Sequence, residues 1–272
     1  AKGLAELIQP GLGEGAVAHI EGHRNPALAK AVKPVAARIA RVYGGAVGLL
    51  LGAARRTGFR RLPGPPSTIG LLIGAHVFAV TFWLGPIGLF AAIAAGSVAA
   101  AATAWRVRSR PLDQYERDIA VQVFGEVSWL DDVRLTTISV QGGRAFAFPG
   151  ADGRTYLNLG HRGFNAALDG TRSYPAIGQI LVHELVHAWQ MAHSKSLAAF
   201  LSHAAEVQIR NELGERVYDI GSAPVVWADC NLEQQATAVD RWYAGKRSPT
   251  CRQMDPEGTD ATTITNALGR NL

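Results

Sequence analysis

The chain has 272 residues, of which 48% are hydrophobic and 18% are charged, and its formal net charge is +5. This length allows one or two domains with a sizeable core. A basic balance is typical of proteins that bind nucleic acid or an anionic membrane surface. We expect a membrane rather than nucleic acid, because the sequence contains no recognisable nucleic-acid module and its arginines flank apolar segments.

Residues 1–61 form a basic region that is rich in alanine and glycine. Within it, Ala27–Ala54 predicts a helix whose first half carries lysines and arginines and whose second half is apolar. Pro34 and Gly44–Gly45 are expected to kink this helix. It is predicted to lie on a membrane surface or pack against the next segment, and an ordinary amphipathic helix of a soluble domain is the alternative. We expect no signal peptide, because no basic stretch at the start is followed directly by an apolar one.

An apolar helical hairpin is predicted in residues 62–110, because residues 62–105 contain no Asp, Glu, Lys or Arg. A membrane-spanning helix needs about 20 apolar residues. The run has room for two such helices, near Thr68–Leu84 and near Ile87–Trp105, with a tight turn at Gly85–Pro86. Arginines on both flanks favour a hairpin with both ends on the positive-inside face of a membrane. Since the second helix is rich in alanine and suits close packing, a hairpin buried in a large soluble assembly is the alternative.

Charged residues return after Arg110, where we place the domain boundary, so that residues 111–272 form the third region. Apolar side chains at helical spacing predict a helix within residues 111–133. Hairpin turns are predicted at Gly142–Gly143 and at Gly150–Gly153. The alternating runs around these turns predict the strands of a small antiparallel sheet: Arg134–Val140, Arg144–Phe148 and Arg154–Leu159.

The sequence His183-Glu184-Leu185-Val186-His187 matches the motif H-E-x-x-H. Residues at this spacing lie on the same face of a helix, so His183 and His187 can bind one metal ion together. Glu184 points about 100° away around the helix, where it can accept a proton from water beside the metal. The alternative is a core helix that carries two incidental histidines.

Start signals and apolar faces support this helix. Ser173 is predicted as its N-cap, and Pro175 suits its first turn. A second helix is predicted near Ser196–Leu213 with a stop at Gly214, and a third helix is predicted to begin near Asn231 after a looser stretch. The side chains of the motif helix that we expect to be buried are Ile177, Ile180, Leu181, Leu185 and Trp189.

Catalytic zinc usually has three protein ligands, and two residues compete to be the third. His193 fits the spacing H-E-x-x-H-x-x-G-x-x-H, but Gln190 replaces the glycine that ends the helix, so we expect the helix to continue and to turn His193 away. Glu233 is preferred, because small residues in its helix allow a close approach to the histidines. Asp240, two turns further along, can accept a hydrogen bond from the second ring nitrogen of one histidine and orient it. The alternative for Glu233 is a solvated charge near a helix start.

The C-terminal part contains both cysteines of the chain, Cys230 and Cys251. Their spacing is not that of a metal site. They are predicted either to form a disulfide in an oxidising compartment or to remain two buried free thiols. Residues from Lys246 onward are predicted to form a loosely structured tail.

The stretches HELVHAWQ and NLEQQATAVDRWY together resemble a gluzincin-type metallopeptidase. More narrowly, Trp189-Gln190 and the spacing to Glu233 resemble the metallopeptidase toxin domains at the C termini of bacterial type VI secretion spike and related effector proteins. The resemblance covers residues 111–245. It implies a zinc ion on His183, His187 and Glu233, with Glu184 as catalytic base. The apolar hairpin stands where that type has a spike, which leaves the delivery route open.

The predicted fold is therefore α+β: a zincin-like domain with a small antiparallel sheet, the H-E-x-x-H helix and a glutamate-bearing helix, preceded by the apolar hairpin. In a zincin arrangement the sheet offers an edge strand to an extended peptide, and the predicted edge strand is Thr155–Leu159. The leading hypothesis is a zinc peptidase in which Tyr243, His203 or Tyr156 stabilises the oxyanion.

The predicted partners are a peptide or protein substrate, a cognate immunity protein, a component of secretion machinery and a membrane contacted by residues 62–105. The predicted location is a membrane or a target cell into which the protein is secreted, such as its periplasm. Two other hypotheses stay open. One is a membrane-embedded housekeeping zinc protease, and the other is a non-enzymatic membrane-inserting protein with a structural zinc site.

Overall fold

The computed structural model describes residues 26–57, 64–125, 128–138, 145–159, 163–165, 167, 176–220 and 227–244. In these ranges the chain is mixed α and β, with long apolar helices before a small four-stranded sheet and further helices after it. The α+β class predicted from the sequence is therefore confirmed. The signals at Ser173, Pro175, Gly142–Gly143 and Cys251 lie outside the described residues.

Helix α1 extends over Pro26–Arg56 and continues through Pro34 and Gly44 as one element. It packs against α6 (Leu197–Glu212), the helix that follows the motif helix. Two glycines of α1 allow this close approach: a Cβ added to Gly44 would lie 2.1 Å from the carbonyl oxygen of Leu201, and one added to Gly48 would lie 2.4 Å from Cα of Ala198. Gly44, which belonged to the predicted kink, therefore lies in a helix contact instead, together with Gly48.

The predicted hairpin is formed by α2 (Gly64–Thr81) and α3 (Pro86–Arg106), with a short 3-10 turn at Phe82–Leu84. Gly85 has φ +59°, in the left-handed region that favours glycine, and Pro86 opens α3, so the predicted turn is confirmed. The two helices approach closely, since a Cβ added to Gly70 would lie 2.7 Å from the carbonyl oxygen of Gly96.

Three helices in the described ranges are long and apolar enough to cross a membrane, within Lys33–Arg56, Gly64–Leu84 and Pro86–Arg106. Apolar side chains along these helices are exposed rather than packed in a core. Among them are Val35, Ile39, Val42, Leu49, Val80, Phe82, Trp83, Ile87, Phe90, Ile93 and Trp105.

The sheet has the strand order β1-β2-β4-β3. Its strands are β1 (Ser109–Pro111), β2 (Val133–Thr136), β3 (Phe146–Pro149) and β4 (Thr155–Asn158). The β1–β2 and β3–β4 pairs are antiparallel, but β2 and β4 pair in parallel, so the prediction of a wholly antiparallel sheet is wrong.

The predicted edge strand is also wrong. Residues Thr155–Leu159 contain β4, which lies between β2 and β3, and the exposed edges belong to β1 and β3. Alternation of apolar and polar residues predicts a strand but does not say which strands become its neighbours. Strand β3 comes between β2 and β4 in the chain, but β4 lies directly beside β2 in the sheet. Strand β3 is therefore an edge strand, and it packs beside the motif helix.

The motif helix, α5, extends over Gln179–His193. It begins later than predicted, because Gly178 precedes it with φ +75°. Ile177 therefore lies before the helix and is 61% exposed, which contradicts its predicted burial. The other expected side chains are buried or packed against the core, namely Ile180, Leu181, Leu185 and Trp189.

The main core lies between the sheet and helices α4 (Gln114–Phe124), α5 and α7 (Leu232–Tyr243). The predicted ends of the two later helices are confirmed. Ser196 caps α6, Gly214 follows it with φ +81°, and Asn231 opens α7 with a capping box. These caps fix where α7 starts, and so place its first turn beside α5.

Candidate metal centre

Three side chains predicted as ligands meet where α5 and α7 pack together. The potential ligand atoms of His183, His187 and Glu233 all lie within 4.8 Å of one another. Oε2 of Glu233 lies 3.2 Å from Nε2 of His183 and 3.3 Å from Nε2 of His187. The two imidazole rings occupy neighbouring turns of α5, with centroids 5.1 Å apart. This group could hold a metal ion.

The start of α7 brings Glu233 to this position. Asn231 accepts hydrogen bonds from the backbone N–H groups of Glu233 and Gln234, which ends the preceding loop at a fixed residue. Ala236 and Ala238 are fully buried, and their small side chains allow α7 to approach α5 closely. A carboxylate in the first turn of a helix is also favoured by the helix dipole.

His183 is oriented by a buried chain of hydrogen bonds. Its Nδ1 lies 2.8 Å from Oδ2 of Asp240, the residue predicted for this contact. Gln179 donates to the other carboxylate oxygen of Asp240 at 2.8 Å, and its own amide oxygen accepts from the backbone N–H of Ala176 at 2.8 Å. With Nδ1 directed at a carboxylate, Nε2 is the ring nitrogen that faces Glu233.

Two glutamines that the sequence reasoning did not single out as site residues also contact the ligands. Gln208 of α6 donates to Oε1 of Glu233 at 2.6 Å, which leaves Oε2 facing the histidines. Gln190 of α5 accepts at 2.8 Å from Nδ1 of His187. The Gln208 contact depends on how α6 packs against α7, whereas the Gln190 contact joins two residues of α5 that are three positions apart.

The two histidines and Glu233 shift one another's pKa values toward the charged forms. Burial lowers the pKa of His183, but hydrogen bonds to Asp240 and Glu233 outweigh burial and raise that pKa to about 10. Burial likewise opposes protonation of His187, but Glu233 raises the pKa of His187 overall. Burial raises the pKa of Glu233, and the hydrogen bonds from both histidines outweigh it and hold that pKa well below its usual range. A metal ion that binds here must displace protons from the histidines.

Glu184 lies next to this group and is 4% exposed. Its Oε2 is buried without a hydrogen-bond partner among the described residues. Burial raises the pKa of Glu184, although the neighbouring histidines oppose that shift. A buried oxygen without a partner costs about 1–3 kcal/mol, so it is an arrangement that folding stability alone does not favour. It fits a carboxylate that accepts a proton during a reaction.

The predicted oxyanion donors lie in different places. Tyr243 packs at the start of α5, where a Cβ added to Gly178 would lie 2.9 Å from its hydroxyl oxygen. The hydroxyl of Tyr156, in β4, donates to Asp152 of the β3–β4 turn at 2.7 Å. His203 is exposed on α6. The structure does not place these three side chains in the His-His-Glu group, and the role of Tyr243 stays a prediction.

A different tyrosine lies beside one of the histidines. The ring of Tyr218, in the loop between α6 and α7, has its centroid 6.3 Å from that of His183, and its side chain is 38% exposed. The sequence predicted only a looser stretch here. His193 is turned away as predicted, and it stacks on Trp189 with ring centroids 4.8 Å apart.

Comparison with models of known protein families, with curated protein sequences and with solved structures found no match. The functional argument therefore depends on the chemistry of the group itself. Two histidines and a glutamate are one of the donor sets that metal ions such as zinc take in proteins.

Proposed function

We propose that the chain is a zinc-dependent peptidase, with zinc held by His183, His187 and Glu233. The observation that carries this proposal is the convergence of these three side chains beside a buried oxygen of Glu184 that has no hydrogen-bond partner in the described part of the chain. Structural zinc sites are normally closed by four protein ligands. The group in the described ranges contains three, which favours a catalytic role over the non-enzymatic alternative.

Glu184 is the proposed general base. When bound, zinc supplies a Lewis acid that polarises a carbonyl group and makes water a better nucleophile at neutral pH. Glu184 accepts a proton as water adds to the peptide carbonyl carbon, and it returns this proton to the amine nitrogen when the C–N bond breaks. Asp240 and Gln190 hold the imidazoles in position during these steps, and Gln208 holds Glu233.

The direct test is Glu184→Gln in the full chain, purified in detergent and assayed on a mixture of unstructured peptides. We expect hydrolysis to fall by at least about 100-fold, since general base catalysis contributes roughly that much or more. The zinc content should not change, because Glu184 is not a proposed ligand. Asp131→Asn, which makes the same chemical change at an exposed ion pair with Arg117, is the matched control. Undiminished hydrolysis by Glu184→Gln would remove Glu184 from the mechanism.

The proposed biological role is a secreted antibacterial effector, and its support is the resemblance of the motif and its flanking residues to toxin domains. Expression in a bacterium, with and without export to the periplasm, tests this role. We expect growth arrest that depends on Glu184 and on the compartment. Equal growth of cells that carry the parent chain and the Glu184→Gln variant in both compartments would instead favour a housekeeping protease.

A membrane location is proposed for the α2–α3 hairpin. At 1.5 Å per residue, the 21 residues of α3 span about 30 Å, which matches the hydrocarbon core of a bilayer. Trp83 at the turn and Trp105 at the other end are both exposed, as are interfacial tryptophans at the two faces of a membrane. Arg106 and Arg108 lie at and just after the end of α3, and basic residues favour the positive-inside face for this end of the hairpin. The metal centre, which is formed by later residues, is therefore proposed to lie on the same face.

A further inference from the structure

Gln190 connects one proposed metal ligand to the backbone next to another. Its side chain lies on α5, one turn after His187, and the residue is 5% exposed. Its amide oxygen accepts from Nδ1 of His187, and its amide nitrogen donates to the carbonyl oxygen of Leu232 at 3.1 Å. Leu232 immediately precedes Glu233. We propose that Gln190 is a positioning residue that holds His187 ready to bind the metal; this inference rests on the proposed metal site.

The orientation of the Gln190 amide is determined by its neighbours. Its nitrogen faces two acceptors, the carbonyl oxygen of Leu232 and Oε1 of Gln235, the latter at 2.9 Å. Gln235 is fixed in turn, because its own amide nitrogen donates to the carbonyl oxygen of Trp227 at 3.2 Å. The amide oxygen of Gln190 must therefore face the ring of His187.

This orientation selects one tautomer of His187. An amide oxygen can only accept, so Nδ1 of His187 must carry the hydrogen, and the neutral ring then presents the lone pair of Nε2 to the metal position. Asp240 does the same for His183. The two histidines thus receive equivalent support from different side chains, a carboxylate for one and an amide for the other.

Gln190 also accounts for the path of the chain. In the spacing H-E-x-x-H-x-x-G-x-x-H, a glycine occupies this position and ends the helix. Here α5 continues for three residues beyond Gln190, and the amide at this position reaches across to α7, which supplies the third ligand. One side chain therefore couples the orientation of His187 to the position of Glu233.

The test compares zinc affinity, measured by competition with a chelator, in the full chain and in Gln190→Met, Gln190→Glu and the exposed control Gln122→Met. Loss of a hydrogen bond behind a metal-binding histidine typically weakens metal affinity about 10–100-fold. We expect that loss for Gln190→Met and no change for Gln122→Met. Gln190→Glu keeps an acceptor for Nδ1, so its affinity should remain within about tenfold of the parent.

The melting temperature of each zinc-free variant separates positioning from folding. If Gln190→Met binds zinc as tightly as the parent, the inference is overturned while the proposed metal site stands. If Gln190→Met and Gln190→Glu lose affinity equally and both melt at lower temperature without zinc, the role is structural and the inference is also overturned. If the parent chain binds no zinc, the proposed function and this inference fail together.

Discussion

His183 and His187 each use one ring nitrogen for orientation and direct the other at Glu233. The orienting partners are Asp240 and Gln190, both nearly inaccessible to solvent. In the metal-free protein Asp240 and Glu233 raise the pKa of His183, and Glu233 raises the pKa of His187. Protons and a metal ion therefore compete for the same nitrogen atoms.

This competition predicts how zinc affinity depends on pH. The pKa of His183 is raised to about 10 from its usual value of 6.5, so His183 is protonated across the neutral range when zinc is absent. Each displaced proton should strengthen zinc binding about tenfold per pH unit as the pH rises toward that value. Chelator competition between about pH 6 and pH 8.5 measures this slope. A flat profile would show that the histidines are not protonated before zinc binds.

The raised pKa of His183 predicts the opposite pH trend for the stability of the metal-free protein. A raised pKa in the folded state contributes stability that is fully present below the unfolded-state value of 6.5 and is lost as the pH rises through about 10. After zinc is removed with a chelator, we expect the melting temperature to fall between neutral pH and about pH 10. His183→Gln, which removes the titrating group, is expected to reduce this fall.

Tyr218 and Tyr243 are two candidates for the oxyanion donor of the proposed peptidase. Tyr218 lies beside His183, whereas the hydroxyl of Tyr243 lies beside Gly178. We expect Tyr218→Phe to lower kcat about 10²–10³-fold at unchanged zinc content, the usual effect of removing such a donor. Tyr243→Phe is expected to change kcat little. A large loss of kcat in Tyr243→Phe with little change in Tyr218→Phe would instead support Tyr243, the residue predicted from the sequence.

At the level of helices and strands, local signals in the sequence predict the elements well. Ser196, Gly214 and Asn231 mark helix ends through caps that depend on neighbouring residues, and Gly85–Pro86 marks the hairpin turn in the same way. The strand order could not be predicted, because β4 pairs with β2 as well as with β3, and β2 is not its neighbour in the chain. The start of α5 was misplaced, since Gly178 rather than Ser173 precedes the helix.

The contacts of the metal centre also fall into those that local sequence patterns predict and those that they do not. Helical periodicity alone predicts that His183 faces His187, and that Asp240 shares a face with Glu233. The supporting contacts of Gln190 and Gln208 depend on how α5 and α6 pack against α7. Tyr218 comes from a loop whose path no local pattern predicts. The contacts of Gln208 with Glu233, of Gln190 with Leu232 and of Tyr218 with His183 can be identified only once the elements are assembled.

The contact between α1 and α6 predicts that alanine substitutions at two glycines of α1 change the stability of the protein very differently. A Cβ on Gly44 would overlap the backbone of Leu201, whereas a Cβ on Gly52 would meet no atom within 4 Å. We expect Gly44→Ala to destabilise the protein by about 1–3 kcal/mol through overpacking. Gly52→Ala should stabilise it by up to about 1 kcal/mol, because alanine favours the helix. Thermal unfolding in detergent measures both changes, and equal behaviour would contradict the α1–α6 contact.

For the whole molecule, the apolar helices and the metal centre are physically connected. Leu51 and Ala54 of α1 form a small second core with Ala151 of the β3–β4 turn, and residues of α2 and α6 pack against it. Arg41 of α1 pairs with Glu206 of α6, two residues before the Gln208 that contacts Glu233. Helix α1 therefore packs against an element that supports a metal ligand, and it shares a small core with α2 of the proposed membrane hairpin.

This connection makes membrane insertion a testable property of the whole chain. We expect the protein to stay in the membrane pellet after alkaline carbonate extraction. Ile93→Arg places a charge on an exposed position of α3, which costs about 2.5–3.5 kcal/mol near the centre of a spanning helix. Its membrane fraction should fall several-fold, while Tyr115→Arg, at an exposed position of α4, should behave as the parent. Complete release of the parent chain as a large soluble complex would favour a buried hairpin instead.

Metal analysis of the full chain, purified in detergent and dialysed against a slight excess of zinc, tests the central claim most directly. The account predicts a single zinc ion bound per chain in the parent and in Glu184→Gln, and a strong loss in Glu233→Gln and in His183→Ala. A parent chain that retains no zinc, or a Glu233→Gln variant that retains as much as the parent, would contradict the proposed His-His-Glu site.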